Sequence, residues 1–479
     1  MEQKPFYITT TLPYVNAEPH IGFAMEIIRA DIIARYQKLM GREVFFNTGT
    51  DEHGQKIYQK AIEAGQEPQQ YVDDYAEKFK ALIPLLGISS DINFIRTTDK
   101  QHIETAQEFW RRVDRAGFIY KKQYETKYCV GCELEKTDSE LENDKCPIHL
   151  GKTIELRAEE NYFFRYSAFE SQLLDLYEKN PDLVIPDFRF NEIRNFVRGG
   201  LRDFSISRLK SKMPWGIAVP GDKDHVMYVW FDALTSYIST LGWPDDEENF
   251  KKFWDGEHNI QFAGKDQVRQ QAAMWQAMLL AAGLPSTHQV IIHGFLNLEG
   301  QKMSKSLGNT VNPVELVDEF GVEALRYFIA RHINDFEDFD FSLEKMKEAY
   351  NANLANGLGN LVSRIMKMAA THLDEPVTVP EKSIPDNFKQ ALDNFEINQA
   401  ANIVWEHIGE LDKKIQITEP YKLVKTEPDK AKVIITELAV GLYTVGRMLN
   451  PLLPETSVTI KNLVKANEMP VAPLFARKD

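Results

Sequence analysis

The first fifty residues pass from a β-rich run through a long helical run to a second β-rich run. Phe6 to Thr10 reads as a strand, and Thr11 to Pro19 as a turn-prone loop. Pro19 can open a helix, because the first helical position has no N–H to lose. Ile28, Ile32 and Tyr36 then recur at fours, with Ile21 and Ala24 an earlier pair at helical spacing. The helix is expected to reach Met40, with Gly41 a suitable C′ residue. Glu43 to Thr48 reads as a second strand. Strand, helix and strand in this order predict a βαβ unit, and that commits the chain to a parallel sheet. Ligands of such sheets collect outside the carboxyl ends of the strands. The loop before His20 and the segment Gly49-Thr50-Asp51-Glu52-His53-Gly54 both fall there.

Residues from about 116 to 224 interrupt this pattern, and Val290 to Phe295 reads again as a buried strand. The sheet is therefore expected to be split by an insertion. From Ser342 to about Thr371 the pattern is one long helix, with Tyr350, Leu354, Leu358, Leu361 and Ile365 on its core side. A linker with Pro376, Pro380 and Pro385 follows, then helical segments from 386 to about 466. The expected fold class is α/β: a Rossmann-like parallel sheet, split by a connective insertion and followed by an α-helical bundle.

A chain of 479 residues, 43% hydrophobic and 27% charged, has the balance of a soluble multidomain protein. The best apolar run, Met274 to Leu284, is short of the roughly 20 residues that span a bilayer and contains Gln276. The N-terminus shows no signal-peptide pattern, so a cytoplasmic location with no membrane partner is expected. A net charge of −15 argues against nucleic-acid binding in general. A local basic face is still compatible with it.

The three cysteines are crowded together, which does not suit a secreted disulfide framework. Cys129-Val-Gly-Cys132 and Cys146-Pro-Ile-His149 form two knuckles with four soft or borderline ligands. That set suits tetrahedral Zn²⁺ in a structural site, within the insertion.

Two further strings carry phosphate chemistry. The first is His20-Ile21-Gly22-Phe23, at the start of the first helix. An imidazole there adds to the helix dipole and the free backbone N–H groups, and Gly22 permits close approach of a nucleotide. The second is Lys302-Met303-Ser304-Lys305-Ser306, a compact loop with two lysines and two hydroxyls. Its lysines can neutralise charge that develops on phosphate oxygens.

These two strings resemble the nucleotide signatures of the class I aminoacyl-tRNA synthetases. From about residue 5 to 460 the chain resembles the methionyl-tRNA synthetase family. The resemblance implies activation of L-methionine by ATP, with Mg²⁺, followed by transfer to tRNA(Met). It implies His20, Lys302 and Lys305 as catalytic residues. It also implies ATP contacts from Gly22, Glu26, Arg208, Gly264, Asp266, His293, Gly294 and Ser304. Leu12, Tyr14, Asp51, Trp230, Ala233 and Tyr237 match the amino-acid pocket, Asp51 pairing with the α-ammonium group. An aromatic slot suits a polarisable thioether. On the long helix Asn356, Asn360 and Arg364 fall at i, i+4, i+8 and share one face. The resemblance makes them anticodon readers, with Tyr421 as the stacking partner. Cys129, Cys132, Cys146 and His149 match a zinc knuckle of the connective insertion.

Two departures stand out. Phe23 occupies the place of a second signature His and cannot donate to phosphate, so the remaining donors must suffice. Gln270-Gln271 replace a Phe-His pair, and the Gln271 amide could bond near the sulfur or to a neighbouring Tyr. The resemblance divides the chain into a first catalytic half at 1–115, the zinc-bearing insertion at 116–224 and a second catalytic half at 225–320. A stem-contact connector at 321–345 and an anticodon-binding bundle at 346–479 complete it. A monomer is expected. The alternative reading, resting on Phe23 and Gln271, is a catalytically weak paralogue that binds tRNA or nucleotide as a regulator.

Overall fold

A computed structural model describes residues 4–478 apart from 132–133, 137–140, 150–152, 255–257, 299, 303–310 and 381–383. The chain forms two compact units. One contains residues 1–19, 43–81 and 91–292, and the other contains residues 20–42, 82–90 and 293–479.

The first unit is built on a six-stranded sheet. Its spatial order is Asn93–Arg96, Val44–Thr50, Phe6–Thr9, Asn259–Gly264, Gln289–His293, Val184–Ile185. The pairings Phe6↔Val44, Tyr7↔Asn259, Asn47↔Asn93 and Val290↔Val184 are all parallel, as the βαβ reading requires. The central strands Phe6–Thr9 and Asn259–Gly264 are buried at every position, as expected for inner strands of a parallel sheet covered on both faces. A large aromatic core lies around them, with Tyr7, Phe109, Trp110, Phe231, Trp254 and Trp275 among its members.

The insertion forms its own four-stranded sheet, dominated by the antiparallel pair Ile119–Cys129 and Ile154–Phe164. It is not a separate appendage throughout. Val184–Ile185, in the middle of the expected insertion, joins the edge of the parallel sheet.

The second unit contains the first helix, Ile21–Leu39. Pro19 does not open it: His20 is its N-cap, and the imidazole Nδ1 accepts from the Gly22 N–H at 3.0 Å. The side-chain cap satisfies a donor that the helix start leaves without a partner. A Cβ on Gly22 would lie 2.7 Å from the His20 ring, so the cap itself requires glycine there. The helical run expected after Ser342 is continuous but not uniform. Leu343–Ala349 and Asn360–His372 are α-helical, whereas Tyr350–Gly359 is wound as a π-helix. The apolar residues named for its core side are all buried.

The bundle that follows contains Asp386–Asp393, Ile397–Thr418, Pro428–Leu452 and Pro454–Ala466. Among the described residues, Pro428–Leu452 is long and apolar enough to cross a membrane by length and composition. It packs against Asn360–His372, Ile397–Thr418 and Pro454–Ala466. Ala431, Ile435, Leu438, Leu442, Val445 and Leu449 are buried there, as in the core helix of a bundle.

Candidate active site

In the first unit, the pairing of Phe6–Thr9 with Val44–Thr50 continues past the strand ends as a parallel bridge between Tyr14 and Asp51. The Asp51 N–H donates to the Pro13 carbonyl at 3.0 Å, and the Val15 N–H donates to the Asp51 carbonyl at 3.2 Å. Two residues assigned to the amino-acid pocket are thus fixed side by side by backbone alone. Asp51 is buried, and Leu12 and Tyr14 are half-buried.

Trp230 and Ala233 lie on the short helix Val229–Ala233, and Tyr237 on the next turn of helix, Ser236–Ser239. Tyr237 is buried, and its phenol accepts from Gln271 Nε2 at 2.6 Å. The Tyr7 hydroxyl donates to the Tyr237 carbonyl at 2.8 Å. The Gln271 amide therefore bonds to a neighbouring tyrosine, one of the two options open to it. It sits on a single π-turn, Gln270–Met274, whose extra residue re-aims side chains relative to an α-helix.

Gly264 ends the strand Asn259–Gly264, at the carboxyl edge of the sheet, and Asp266 follows it in an exposed turn. Arg208 is buried. Its guanidinium lies over the Tyr228 ring at 4.2 Å, and NH1 donates to Ser205 Oγ and the Ser207 carbonyl, both at 2.7 Å.

In the second unit, His20 and Gly22 sit at the helix N-terminus described above, and Phe23 is half-buried one residue further on. One turn into that helix Glu26 is buried, and its Oε2 lies 2.8 Å from His293 Nε2. His293 Nδ1 lies 2.8 Å from the Gly294 carbonyl, so the ring faces an acceptor at each nitrogen. A Cβ on Gly294 would lie 2.2 Å from the backbone of Glu337, so only glycine permits that approach. A hairpin of Leu296–Leu298 and Gln301–Lys302 then leads into the lysine loop. Its turn is anchored by the Gly300 N–H, which donates to Asp340 Oδ1 at 2.8 Å. Lys302 lies on the hairpin, with only its backbone described. Met303, Ser304, Lys305 and Ser306 lie outside the described residues.

In the insertion, Cys129 and Cys146 are buried, and their sulfurs lie with a His149 ring nitrogen within 4.8 Å of one another. A Cβ on Gly131 would lie 2.5 Å from the His149 ring, so the turn between the knuckle residues needs a glycine. Two thiols and an imidazole converging in this way fit a soft or borderline divalent ion. Cys132 lies outside the described residues.

Asn356, Asn360 and Arg364 are all exposed, although Asn356 falls in the π-helical stretch and the other two in the α-helix beyond. Arg364 is ion-paired with Asp412 of Ile397–Thr418. Tyr421 is 49% exposed, on the short helix Pro420–Leu423.

One polar cluster of the first unit escaped sequence reading. Asp232 accepts from His53 Nδ1 and His102 Nε2, each at 2.7 Å, and all three residues are buried. The signal was available in part, since Asp232 and His53 stand inside the two strings that carry Trp230 and Asp51.

The sequence profile of the family described as tRNA synthetases class I (M) matches residues 6–149 and 131–366. The methionine–tRNA ligase of Thermotoga maritima is 39% identical over 97% of this chain and 76% of its own length. That of Nostoc sp. is 41% identical, over 96% of this chain and 89% of its own. A solved structure of Mycobacterium tuberculosis methionyl-tRNA synthetase in complex with methionyl-adenylate superposes with a TM-score of 0.90. It is 35% identical and is covered in full, over 99% of this chain. The fold is that of a class I synthetase. Within that class, the chain belongs to the methionine–tRNA ligase family.

Proposed function

We infer that this chain is an ATP-dependent ligase that activates L-methionine as methionyl-adenylate and transfers the methionyl group to tRNA(Met). The likeness to a synthetase bound to methionyl-adenylate carries the reading. The regulator alternative has only Phe23 and Gln271 in its favour. Gln271 is accommodated by its bond to Tyr237.

Activation is in-line attack of the methionine carboxylate on the α-phosphate, expelling pyrophosphate. The protein's task is to position the reactants and neutralise developing charge. Asp51 pairs with the α-ammonium group, and Trp230, Ala233, Tyr237, Leu12 and Tyr14 enclose the thioether. The Gln271–Tyr237 bond sets the phenol that faces it. Gly264, Asp266 and Arg208 contact the nucleotide. In the second unit His20 offers its imidazole to phosphate beside the helix N-terminus, and Lys302, Ser304 and Lys305 supply hydrogen bonds and positive charge. Glu26 orients His293, and Gly294 keeps the adjoining backbone close. Mg²⁺ entering with ATP would supply further charge screening for the pyrophosphate. Cys129, Cys146 and His149, with Cys132 as the fourth ligand by spacing, would hold a Zn²⁺ ion that braces the insertion. Asn356, Asn360, Arg364 and Tyr421 read the anticodon. The reading places the enzyme in the cytoplasm, as a monomer.

Methionine-dependent ATP–pyrophosphate exchange tests the reading, and its absence in purified protein would return the regulator alternative. Lys305→Ala should lose about 3 kcal/mol of transition-state stabilisation, roughly 10²–10³ in exchange rate, with little change in methionine affinity. Elemental analysis should find about one Zn²⁺ per chain, reduced in Cys146→Ser. Full zinc in a Cys129/Cys146 double variant would place the metal elsewhere.

A further inference from the structure

We propose that Asp232 is a positioning residue for methionine. Its carboxylate, shared between His53 and His102, sets the turn that carries Asp51 against the helix that carries Trp230 and Ala233. This rests on the methionine-activation reading and on the roles given there to Asp51 and Trp230.

Asp232 is completely buried, as is His102, and His53 is 5% exposed. An ionised carboxylate in such a place is costly unless its lone pairs are filled. The two imidazoles fill them, from His53 Nδ1 and His102 Nε2, each at 2.7 Å. They hold the carboxyl below its ordinary range although burial pulls the other way. A carboxylate only accepts, so both imidazoles must donate, and that fixes which nitrogen of each carries a proton toward it. His102 is held in turn by Ser239 Oγ, 2.9 Å from its Nδ1.

The three residues come from three different elements. His53 follows Asp51 by two positions in the turn after Val44–Thr50. That turn is also held by Trp215, whose indole N–H donates to the Glu52 carbonyl at 2.6 Å. Asp232 stands between Trp230 and Ala233 on Val229–Ala233. His102 lies on Lys100–Arg115. The strand pairing that fixes Asp51 beside Tyr14 says nothing about where Trp230 stands. The shared carboxylate supplies that missing link, through two charge-assisted bonds of defined geometry. A shift near 1 Å between reactant-holding groups can cost about 10²-fold.

The test is steady-state pyrophosphate exchange with separate KM values for methionine and ATP, and a melting curve for each variant. Asp232→Asn can accept from only one imidazole. It should raise the methionine KM about tenfold or more, with the ATP KM unchanged. His53→Leu and His102→Leu should do the same. His53→Asn puts an amide N–H near the place of Nδ1, and His102→Gln puts one near that of Nε2, so both should recover most of the methionine affinity. Equal increases in both KM values, or an unaltered methionine KM in soluble Asp232→Asn, would overturn the proposal. So would a His53→Asn no better than His53→Leu, a comparison that decides the matter even if Asp232→Asn does not fold. Wild-type protein inactive in exchange would refute the activation reading instead. Active wild type with normal variants refutes only the positioning role.

Discussion

In the first unit a buried carboxylate, Asp232, is held by two imidazoles. In the second, buried guanidiniums are held largely by main-chain carbonyls. Arg326 donates to the carbonyls of Leu86 at 3.3 Å, Pro451 at 3.1 Å and Leu452 at 3.0 Å, and pairs with Asp31 at 2.8 Å. Arg29 donates to the carbonyls of Ile333, Asn334 and Asp335. A guanidinium has five donors in a rigid fork, so it can close several chain ends at once. Arg326 does this for segments more than a hundred residues away in sequence. The imidazole–carboxylate cluster ties side chains to one another, next to the residues given to the methionine pocket. Losing a guanidinium of this kind should therefore register as instability, and losing the imidazole–carboxylate cluster as substrate affinity.

The largest effect is expected at Arg326. Burial would raise the Asp31 carboxyl, but Arg326 and Arg35 outweigh it and bring it below its ordinary range. Arg326→Ala leaves that carboxylate with Arg35 and Ser89 alone and orphans the carbonyls of Leu86, Pro451 and Leu452. Breaking a buried pair in this way costs about 3–5 kcal/mol. Urea unfolding followed by helical circular dichroism should show it, while the folded fraction keeps its methionine KM. A destabilisation under about 1 kcal/mol would mean that neither the ion pair nor the carbonyl contacts of Arg326 hold these segments together.

Asp335 sharpens the same contrast through pH. Burial, against the opposing charge of Arg29, pushes its carboxyl from 3.8 up to about 6. The folded chain thus keeps a proton that the unfolded chain has already released. The group's contribution falls as pH rises from about 4 to 6, and costs up to about 3 kcal/mol above that window. Asp335→Asn removes the slope. Its stability relative to wild type should climb between pH 4 and 6 and then level off, as urea titrations at pH 4, 5 and 7 would show. A difference flat with pH would mean that Arg29 keeps Asp335 ionised throughout.

The parts of the molecule that were legible in sequence are those set by periodicity or by short strings. The strand, helix and strand at the N-terminus show the apolar spacing of a βαβ unit, and the Tyr14–Asp51 neighbourhood follows from it. Val184–Ile185 is two residues long, too short to show any period, so its place in the sheet was not foreseeable. The π-helix at Tyr350–Gly359 hides for another reason. Apolar residues at fours suit a wider helical turn nearly as well as an α-turn over so short a stretch. Glu26 and His293 are 267 residues apart, and nothing local marks either as the other's partner. His53, His102 and Asp232 look like ordinary polar residues until the fold gathers them.

The smallest effect concerns an exposed pair, the counterpart of the buried ones. Arg364, one of the proposed anticodon readers, is ion-paired with Asp412, and both side chains are well exposed. Exposed pairs contribute only about 0–1 kcal/mol, so Arg364 can exchange Asp412 for a nucleobase edge at little cost. Arg364→Ala and Tyr421→Ala should each lower kcat/KM for tRNA, the latter by a stacking loss of about 1–3 kcal/mol. Methionine activation without tRNA should be untouched. Asp412→Ala should act in the opposite direction, raising kcat/KM for tRNA up to about fivefold by removing the competitor. All three variants should melt within a few degrees of wild type, because no buried group loses a partner. If Asp412→Ala instead weakens tRNA use as much as Arg364→Ala does, the pair is a preformed reading surface in which the carboxylate holds the guanidinium in place.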